Sequence, residues 1–105
     1  MKNFTTLLIT DLAGNDLRES MIFYENQTPN LGIYFKDSII SDLEGLLFYA
    51  GIHEKHFGCY RMLAKRFPFS IYYQTRNEKV VIHAIMDDRR DPKLHQNRLI
   101  NLNQS

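Results

Sequence analysis

Three runs of β-forming residues follow one another in the second half of the chain: YRMLAK at 60–65, FSIYYQ at 69–74 and VVIHAIM at 80–86. Pro68 separates the first two runs, and residues 75–78 have the length of a hairpin connection. The last run is apolar on both faces, which is typical of a strand covered on two sides. These runs predict a small antiparallel sheet in which residues 80–86 form a central strand.

Two helices are predicted ahead of this sheet. Residues 4–9 form a short β-rich run, after which Thr10 offers a hydroxyl as the N-cap of a helix over 11–27. Apolar residues recur within that helix at spacings near 3.6. The Thr-Pro-Asn sequence at 28–30 stops it, and a second helix is predicted over about 31–50. Because the connection is short, the two helices are expected to form an antiparallel hairpin.

The predicted fold class is α+β, with an N-terminal strand and an antiparallel helical hairpin packed on a small antiparallel β-sheet. Residues 51–58 are predicted to be a loop and residues 93–99 a short, frayed helix. The 105 residues fit a single domain, 1–105, in which residues 93–105 form a C-terminal tail or short helix.

The composition excludes several classes of protein. Hydrophobic residues at 44% and charged residues at 24% are ordinary globular values, which argues against a disordered chain. The longest apolar run, Leu46–Ala50, is far below the ~20 residues that cross a bilayer. Cys59 is the only cysteine, so no internal disulfide can form, and we expect a cytoplasmic protein.

The charge is divided unevenly between the two halves of the chain. Up to Glu54 there are three basic and eight acidic residues, whereas from Lys55 onward there are ten basic and four acidic residues. The overall charge of +1 conceals this difference. A basic half in a small domain can face phosphates or an acidic partner, or the two halves can attract each other.

The usual motifs for metal and nucleotide chemistry are missing from the sequence. His53 and His56 are three residues apart in a predicted loop, whereas a helical zinc motif needs histidines four apart and a third ligand. No GxGxxG or GxxxxGK sequence occurs. Cys59 is interpreted as a buried thiol. We therefore predict no metal site and no cofactor.

Six basic residues remain as candidates for binding, and they lie on the first predicted strand or beyond the ends of strands: Arg61, Lys65, Arg66, Arg89, Arg90 and Lys93. Guanidinium groups bind phosphate or carboxylate in a bidentate manner. The aromatic or imidazole rings of Tyr72, Tyr73 and His83 could stack on a base or move a proton. The alternative is a surface salt network in which Arg89 and Arg90 pair with Asp87, Asp88 and Asp91, while the tyrosines belong to the core.

The order and spacing of these segments resemble the RelE/ParE superfamily of bacterial type II toxins. The Phe-Pro-aromatic-x-Ile-Tyr-Tyr sequence at 67–73 and the Arg-Arg-Asp-Pro sequence at 89–92 are similar to the ParE branch, the plasmid-stabilisation type. Three upstream pieces match the helical hairpin of the family: Asp16-Leu17, Phe23-Tyr24-Glu25 and Leu31-Gly32-x-x-Phe35. The resemblance covers roughly residues 5–93.

This resemblance implies a toxin that a neighbouring gene's antitoxin binds and silences. RelE-like members cut messenger RNA on the ribosome, whereas ParE-like members poison DNA gyrase. Aligned on the strand motif, Arg61 and Arg90 fall on two basic positions of the nuclease branch. Leu63 and Ser70 stand where that branch has two further cations, and His95 is the nearest substitute for its C-terminal tyrosine.

The missing cations favour a ParE-like toxin that inhibits DNA gyrase and stops growth, with no catalytic residues of its own. The six basic residues named above would then bind the target, and the antitoxin would contact four apolar residues of the hairpin: Met21, Tyr24, Phe35 and Ile39. The same four residues could equally belong to the core.

Two other functions stay open. A ribosome-dependent messenger RNA endonuclease would use Arg61 and Arg90, with His83 or His95 as general base, and its partners would be the ribosome and its messenger RNA. A relic that has lost its toxicity would retain only the ability to bind an antitoxin.

Overall fold

The computed structural model describes residues 4–103, and the predicted α+β class is confirmed. Eight elements follow one another in this part of the chain: β1 (Thr6–Ile9), α1 (Asp11–Gln27), α2 (Leu31–Tyr49), β2 (Lys55–His56), β3 (Cys59–Leu63), β4 (Phe69–Arg76), β5 (Lys79–Asp87) and α3 (Pro92–Asn103). Among these described residues, none of the helices has the length and apolar character needed to cross a bilayer.

The strands form one five-stranded sheet in the order β1-β5-β4-β3-β2. Strands β2 to β5 are antiparallel to their neighbours, as predicted, but β1 pairs with β5 in parallel, with Thr6 opposite Lys79. The sheet is therefore mixed and not wholly antiparallel. A parallel pair needs a long connection, and here the helices α1 and α2 and the strands β2 to β4 lie between β1 and β5 in the chain.

The hairpin between β4 and β5 is tighter than its sequence predicts. Thr75 and Arg76 extend β4, and Arg76 pairs with Lys79, so only Asn77 and Glu78 make the turn. Asn77 has a φ of 58°, in the left-handed region that asparagine tolerates better than most residues. The predicted loop over 51–58 likewise contains a short strand, β2.

The helical hairpin begins and turns where the sequence predicts. The hydroxyl of Thr10 accepts a hydrogen bond from the Ala13 N–H at 3.2 Å, which caps α1. At the turn, the two carboxylate oxygens of Glu25 accept from the N–H groups of Asn30 and Gly32, each at 2.9 Å. A carboxylate at this place also opposes the positive end of the α2 dipole. Glu25 therefore joins the end of α1 to the start of α2.

Both faces of the sheet are covered. The hairpin packs on one face through a large core that includes Phe35, Ile39 and Leu43, all fully buried. On the opposite face Leu99 of α3 is fully buried in a smaller cluster with Tyr72 and Ala84. The helix expected after Pro92 is present but longer than the predicted 93–99, because α3 spans the 12 residues Pro92–Asn103 and this apolar contact packs it on the sheet.

Candidate functional site

Two loops meet at one end of the sheet and bring most of the candidate cations together. They are residues 64–68, between β3 and β4, and residues 88–91, between β5 and α3. The Asp88 N–H donates to the Pro68 carbonyl at 2.7 Å, which fixes one loop against the other. We call these loops together with Lys93 the basic end, since it carries five basic residues: Lys65, Arg66, Arg89, Arg90 and Lys93.

Arg61 lies beside the basic end but its charge is balanced locally. Its Nε donates to the hydroxyl of Ser70 at 2.8 Å, and its terminal nitrogen is 3.5 Å from an oxygen of Asp88. The Ser70 hydroxyl in turn donates to the same Asp88 oxygen at 2.5 Å. Because Leu63 is opposite Ser70, Arg61 and Ser70 are diagonal neighbours on one face of the sheet.

Arg89 is also paired with a local carboxylate. Its guanidinium donates to both oxygens of Asp87, at 3.0 and 2.8 Å, and to the hydroxyl of Tyr24 at 2.9 Å. These hydrogen bonds hold the pKa of the Asp87 carboxyl below its usual range and raise the pKa of Arg89. Of the predicted salt network, the pair between Arg89 and Asp87 exists, whereas the pairing of Arg61 with Asp88 is not part of that prediction.

The other four side chains of the basic end differ from these two arginines. They are exposed and make no hydrogen bond or ion pair within residues 4–103: Lys65, Arg66, Arg90 and Lys93. Asp91 does not pair with Arg90, since its carboxylate accepts from the Lys93 N–H at 2.9 Å at the start of α3. The positive charge that no carboxylate pairs with therefore comes from these four residues, although the paired Arg89 is itself 55% exposed.

The two histidines lie in different surroundings. His95 is 8% exposed; its Nε2 donates to the Asp87 carbonyl at 2.9 Å, and the Tyr72 hydroxyl donates to its Nδ1 at 2.8 Å. Burial raises the pKa of Tyr72. His83 donates from Nε2 to the side-chain carbonyl of Gln74 at 3.0 Å, and burial is the main cause that lowers its pKa. The structure thus links His95, through Tyr72, to the neighbourhood of Arg61, whereas His83 is bonded elsewhere.

Three of the four residues expected to bind an antitoxin belong to the core. Phe35 and Ile39 are fully buried and Tyr24 is 6% exposed, while Met21 is half-buried and packs against them. These three residues therefore offer almost no surface to a partner in this conformation. The exposed apolar residues of the hairpin are different ones: Leu12, Ile22, Phe23, Ile33, Tyr34, Phe48 and Tyr49.

Sequence reasoning missed an ion pair between the two helical layers. The Arg98 guanidinium of α3 donates to both oxygens of Asp16 on α1, at 3.1 and 2.8 Å. Asp16 also accepts from the Ile85 N–H at 3.0 Å. His95 and Arg98 are three residues apart, a spacing that places both side chains on one face of α3.

A search of solved structures identifies a similar protein. A chain of the chromosomal ParDE TA (toxin–antitoxin) system from P. aeruginosa shares 20% sequence identity with this one, with a TM-score of 0.72; the match covers 80% of this chain and 96% of that chain. The chain has a RelE/ParE-like fold. No family model matches the sequence, and no curated protein matches it either. The RelE/ParE-like fold predicted from the motifs is confirmed by three-dimensional similarity alone.

The pair between Arg89 and Asp87 predicts how stability depends on pH in this RelE/ParE-like fold. Because the pKa of Asp87 is depressed in the folded state, its contribution is fully present above the ordinary aspartate pKa near 4 and is lost as the pH falls through the folded-state value. Asp87→Asn should therefore be less stable than the parent at neutral pH, by under about 1 kcal/mol. The difference in unfolding free energy between Asp87→Asn and the parent should disappear at acidic pH.

Urea unfolding at neutral pH and near pH 2 measures this gap. Asp37→Asn is the matched control, since Asp37 is exposed and has no hydrogen bond or ion pair in the part of the chain that the structure describes. A gap for Asp87→Asn that stays constant with pH would contradict the prediction.

Proposed function

We propose that this protein is the toxin of a type II toxin–antitoxin system, that it inhibits DNA gyrase by binding, and that a cognate antitoxin neutralises it. The similarity to a ParDE chain supports the toxin class. The choice of gyrase over messenger RNA rests on one observation, the pairing of Arg61 with Ser70 and Asp88.

The argument from Arg61 concerns the charge that a nuclease must stabilise. Cleavage of a phosphodiester develops negative charge on the phosphate oxygens, and each preorganised donor that is removed costs about 3 kcal/mol of barrier. Here the carboxylate of Asp88 lies at 3.5 Å from the guanidinium that would serve as donor. Ser70 is fully buried, and the apolar Leu63 is exposed on the same strand as Arg61. This neighbourhood is poorly suited to binding a phosphate in its transition state.

The basic end is better suited to recognition than to catalysis. Its four cations without an ion pair in residues 4–103, Lys65, Arg66, Arg90 and Lys93, can steer and orient a negatively charged partner. Arg61 and Arg89 would act as a scaffold, since their pairing with Asp88 and Asp87 holds the start of the 88–91 loop, which the Asp88 N–H joins to the Pro68 carbonyl of the other loop. The target surface of the gyrase inhibitor would therefore be centred on these loops.

A supercoiling assay with purified gyrase and relaxed plasmid tests this function. We expect the protein to block supercoiling or to trap a cleaved complex. Arg66→Glu and Arg90→Glu should each need about tenfold more protein for the same effect, because charge reversal at an interface acts through both attraction and repulsion. Lys36→Glu, on α2, is the matched control and should behave like the parent. Unchanged supercoiling at concentrations that stop growth would refute gyrase as the target.

One observation favours the endonuclease as a second candidate. Tyr72 lies opposite Arg61 in the sheet and donates from its hydroxyl to Nδ1 of the buried His95, so His95 would take a proton from a substrate through Tyr72. Translation of a defined transcript in a reconstituted system, followed by mapping of cleaved ends, distinguishes the two functions. Cuts at ribosome-occupied codons that disappear with His95→Gln would favour the endonuclease.

A further inference from the structure

The segment between α2 and β2, residues 50–54, is attached to the sheet through one tyrosine. The Gly51 N–H donates to the hydroxyl of Tyr73 at 2.9 Å, and Nδ1 of His53 lies 2.5 Å from the same oxygen. Tyr73 belongs to β4 and is fully buried. We call Gly51, His53 and Tyr73 together the Tyr73 latch. None of these three residues has a part in the proposed function.

The Tyr73 hydroxyl has one proton, and His53 is the group that accepts it. Within residues 4–103 this oxygen has no hydrogen-bond partner other than Gly51 and His53, and the Gly51 N–H can only donate. Burial raises the pKa of Tyr73, so the hydroxyl keeps its proton. The hydroxyl therefore donates to Nδ1, which makes His53 a neutral imidazole with its own proton on Nε2.

A proton on Nδ1 of His53 is incompatible with this arrangement. An imidazolium ring has two donors and no acceptor, so the Tyr73 oxygen would face two N–H donors and its own proton would have no acceptor. A buried donor without a partner destabilises the conformation that contains it. The Tyr73 latch can therefore hold only while His53 is neutral.

Burial, and not a neighbouring charge, dominates the environment of His53. Burial is the cause that lowers the pKa of this imidazole. Asp42 of α2 and Lys65 line the same cleft as His53 and carry opposite charges, as do the next two residues of the chain, Glu54 and Lys55. The other titratable groups around the latch are tyrosines: Tyr49 in the cleft wall, and Tyr60 of β3, which stacks on Tyr73 at 5.2 Å between ring centroids.

Few other contacts hold this segment against the sheet. Ile52 is 74% exposed, so its side chain buries little apolar surface. Its N–H donates to the Tyr49 carbonyl at 3.4 Å, at the end of α2, and the next attachment to a strand is the Glu54 carbonyl, which accepts from the Arg61 N–H at 2.9 Å. Segments with few buried contacts open at low free energy while the rest of a protein stays folded.

We propose that protonation of His53 releases residues 51–53 from Tyr73, so that this segment opens in acid while the rest of the fold stays intact. The open form takes up a proton near the ordinary histidine pKa of about 6.5, whereas burial lowers the pKa of His53 in the closed form. Opening therefore becomes more favourable as the pH falls below about 6.5. Release would widen the cleft of about 240 Å³ between α2 and β3, since Ile52 and His53 form part of its wall.

Amide hydrogen exchange of the full chain, followed by NMR at pH 7.5 and pH 5.0, tests this proposal. The protection factor of the Gly51 amide, which corrects for the intrinsic effect of pH on exchange, should fall by up to about thirtyfold at pH 5.0. That is the limit in which only the open form titrates. Ile71, in the middle of β4 and paired with strands on both sides, reports global unfolding, and the protection of its amide should fall less.

Two variants separate the latch from other effects of pH. His53→Asn places an amide oxygen the same number of bonds from the backbone as Nδ1, and this acceptor takes up no proton, so protection of Gly51 should be equal at both pH values. Tyr73→Phe removes the hydroxyl, and protection of Gly51 should be low at both pH values even if His53→Asn rearranges the segment.

His56→Asn is the matched control, because the His56 side chain has no hydrogen bond or ion pair within residues 4–103. This variant should retain the pH dependence of the parent. Three results would overturn the proposal: a change of less than about threefold at Gly51 in the parent, a fall at Gly51 no larger than that at Ile71, or a pH dependence that persists in His53→Asn or Tyr73→Phe.

The outcome is independent of the target of the toxin, because exchange is measured on the isolated chain. A protein that inhibits gyrase but keeps Gly51 protected at pH 5.0 would refute the latch alone. A protein that loses this protection in acid but leaves gyrase unaffected would refute the proposed target and leave the latch intact.

Discussion

Gly32→Ala is expected to destabilise the fold by about 3 kcal/mol, the upper range for overpacking a close contact. Gly32 lies in the first turn of α2, where this helix approaches α1. A Cβ added there would overlap the Met21 carbonyl oxygen and would lie 2.8 Å from the Cβ of Glu25. Because the first neighbour is backbone, the helices must separate, and the hydrogen bond from the Gly32 N–H to Glu25 would be lost.

Two other glycines provide matched controls for this measurement. Gly14 in α1 and Gly45 in α2 have nothing within 4 Å of an added Cβ. Alanine at either position should stabilise the protein by about 0.5–1 kcal/mol, because glycine in a helix loses more conformational entropy on folding. Urea unfolding of the three variants gives the comparison. Equal stability of Gly32→Ala and Gly45→Ala would show that the close approach of the helices is not required.

Asp16→Ala should cost about 2–3 kcal/mol of unfolding free energy. The Asp16 carboxylate joins three elements: it accepts from the Ile85 N–H of β5 and twice from the Arg98 guanidinium of α3. The two side chains are only 17% and 23% exposed. Removal of the carboxylate leaves a backbone donor unpaired and a guanidinium without its counter-charge in a half-buried site.

The neighbouring acid on α1 serves as control for Asp16. Glu19→Ala removes an exposed carboxylate whose one hydrogen bond is to Asn15, and it should change stability by less than about 0.5 kcal/mol. In addition, Asp16→Ala combined with Arg98→Ala should cost less than the two single changes together. Strict additivity would mean that the ion pair contributes nothing to the attachment of α3.

Local signals in the sequence predict the elements of the fold, but they do not predict which elements become neighbours. The helix over 11–27 is correct because Thr10 supplies a cap and the Thr-Pro-Asn sequence at 28–30 ends the helix. Hydrophobic periodicity assigns the faces of β1 but not its partner strand, so its parallel pairing with β5 stays hidden. The length of α3 is missed because its buried residue, Leu99, is stabilised by the distant Tyr72 and Ala84.

The sequence predicts which basic residues gather at the candidate site, but it does not predict which of them form ion pairs. The two loops of the basic end follow from strand order, so the gathering of cations there is inferable from antiparallel topology. Whether each arginine is free depends on register: Arg61 is held because Ser70 lies diagonally across from it, and Arg90 is not held although it is adjacent to Arg89. Burial of Tyr24 and Phe35 is equally a matter of packing, since helical spacing is the same for a core and for an interface.

The parallel pairing of β1 has a consequence for the order in which the polypeptide is completed during synthesis. Thr6 and its neighbours emerge first, yet their hydrogen-bonding partners, Lys79 to Ile82, are among the later residues to be made. Contacts so distant in sequence form slowly because the chain loses the entropy of closing a long loop before these contacts stabilise it. Until those residues are made, β1 has no strand partner, and the surplus of negative charge in residues 1–54 would oppose association between nascent chains.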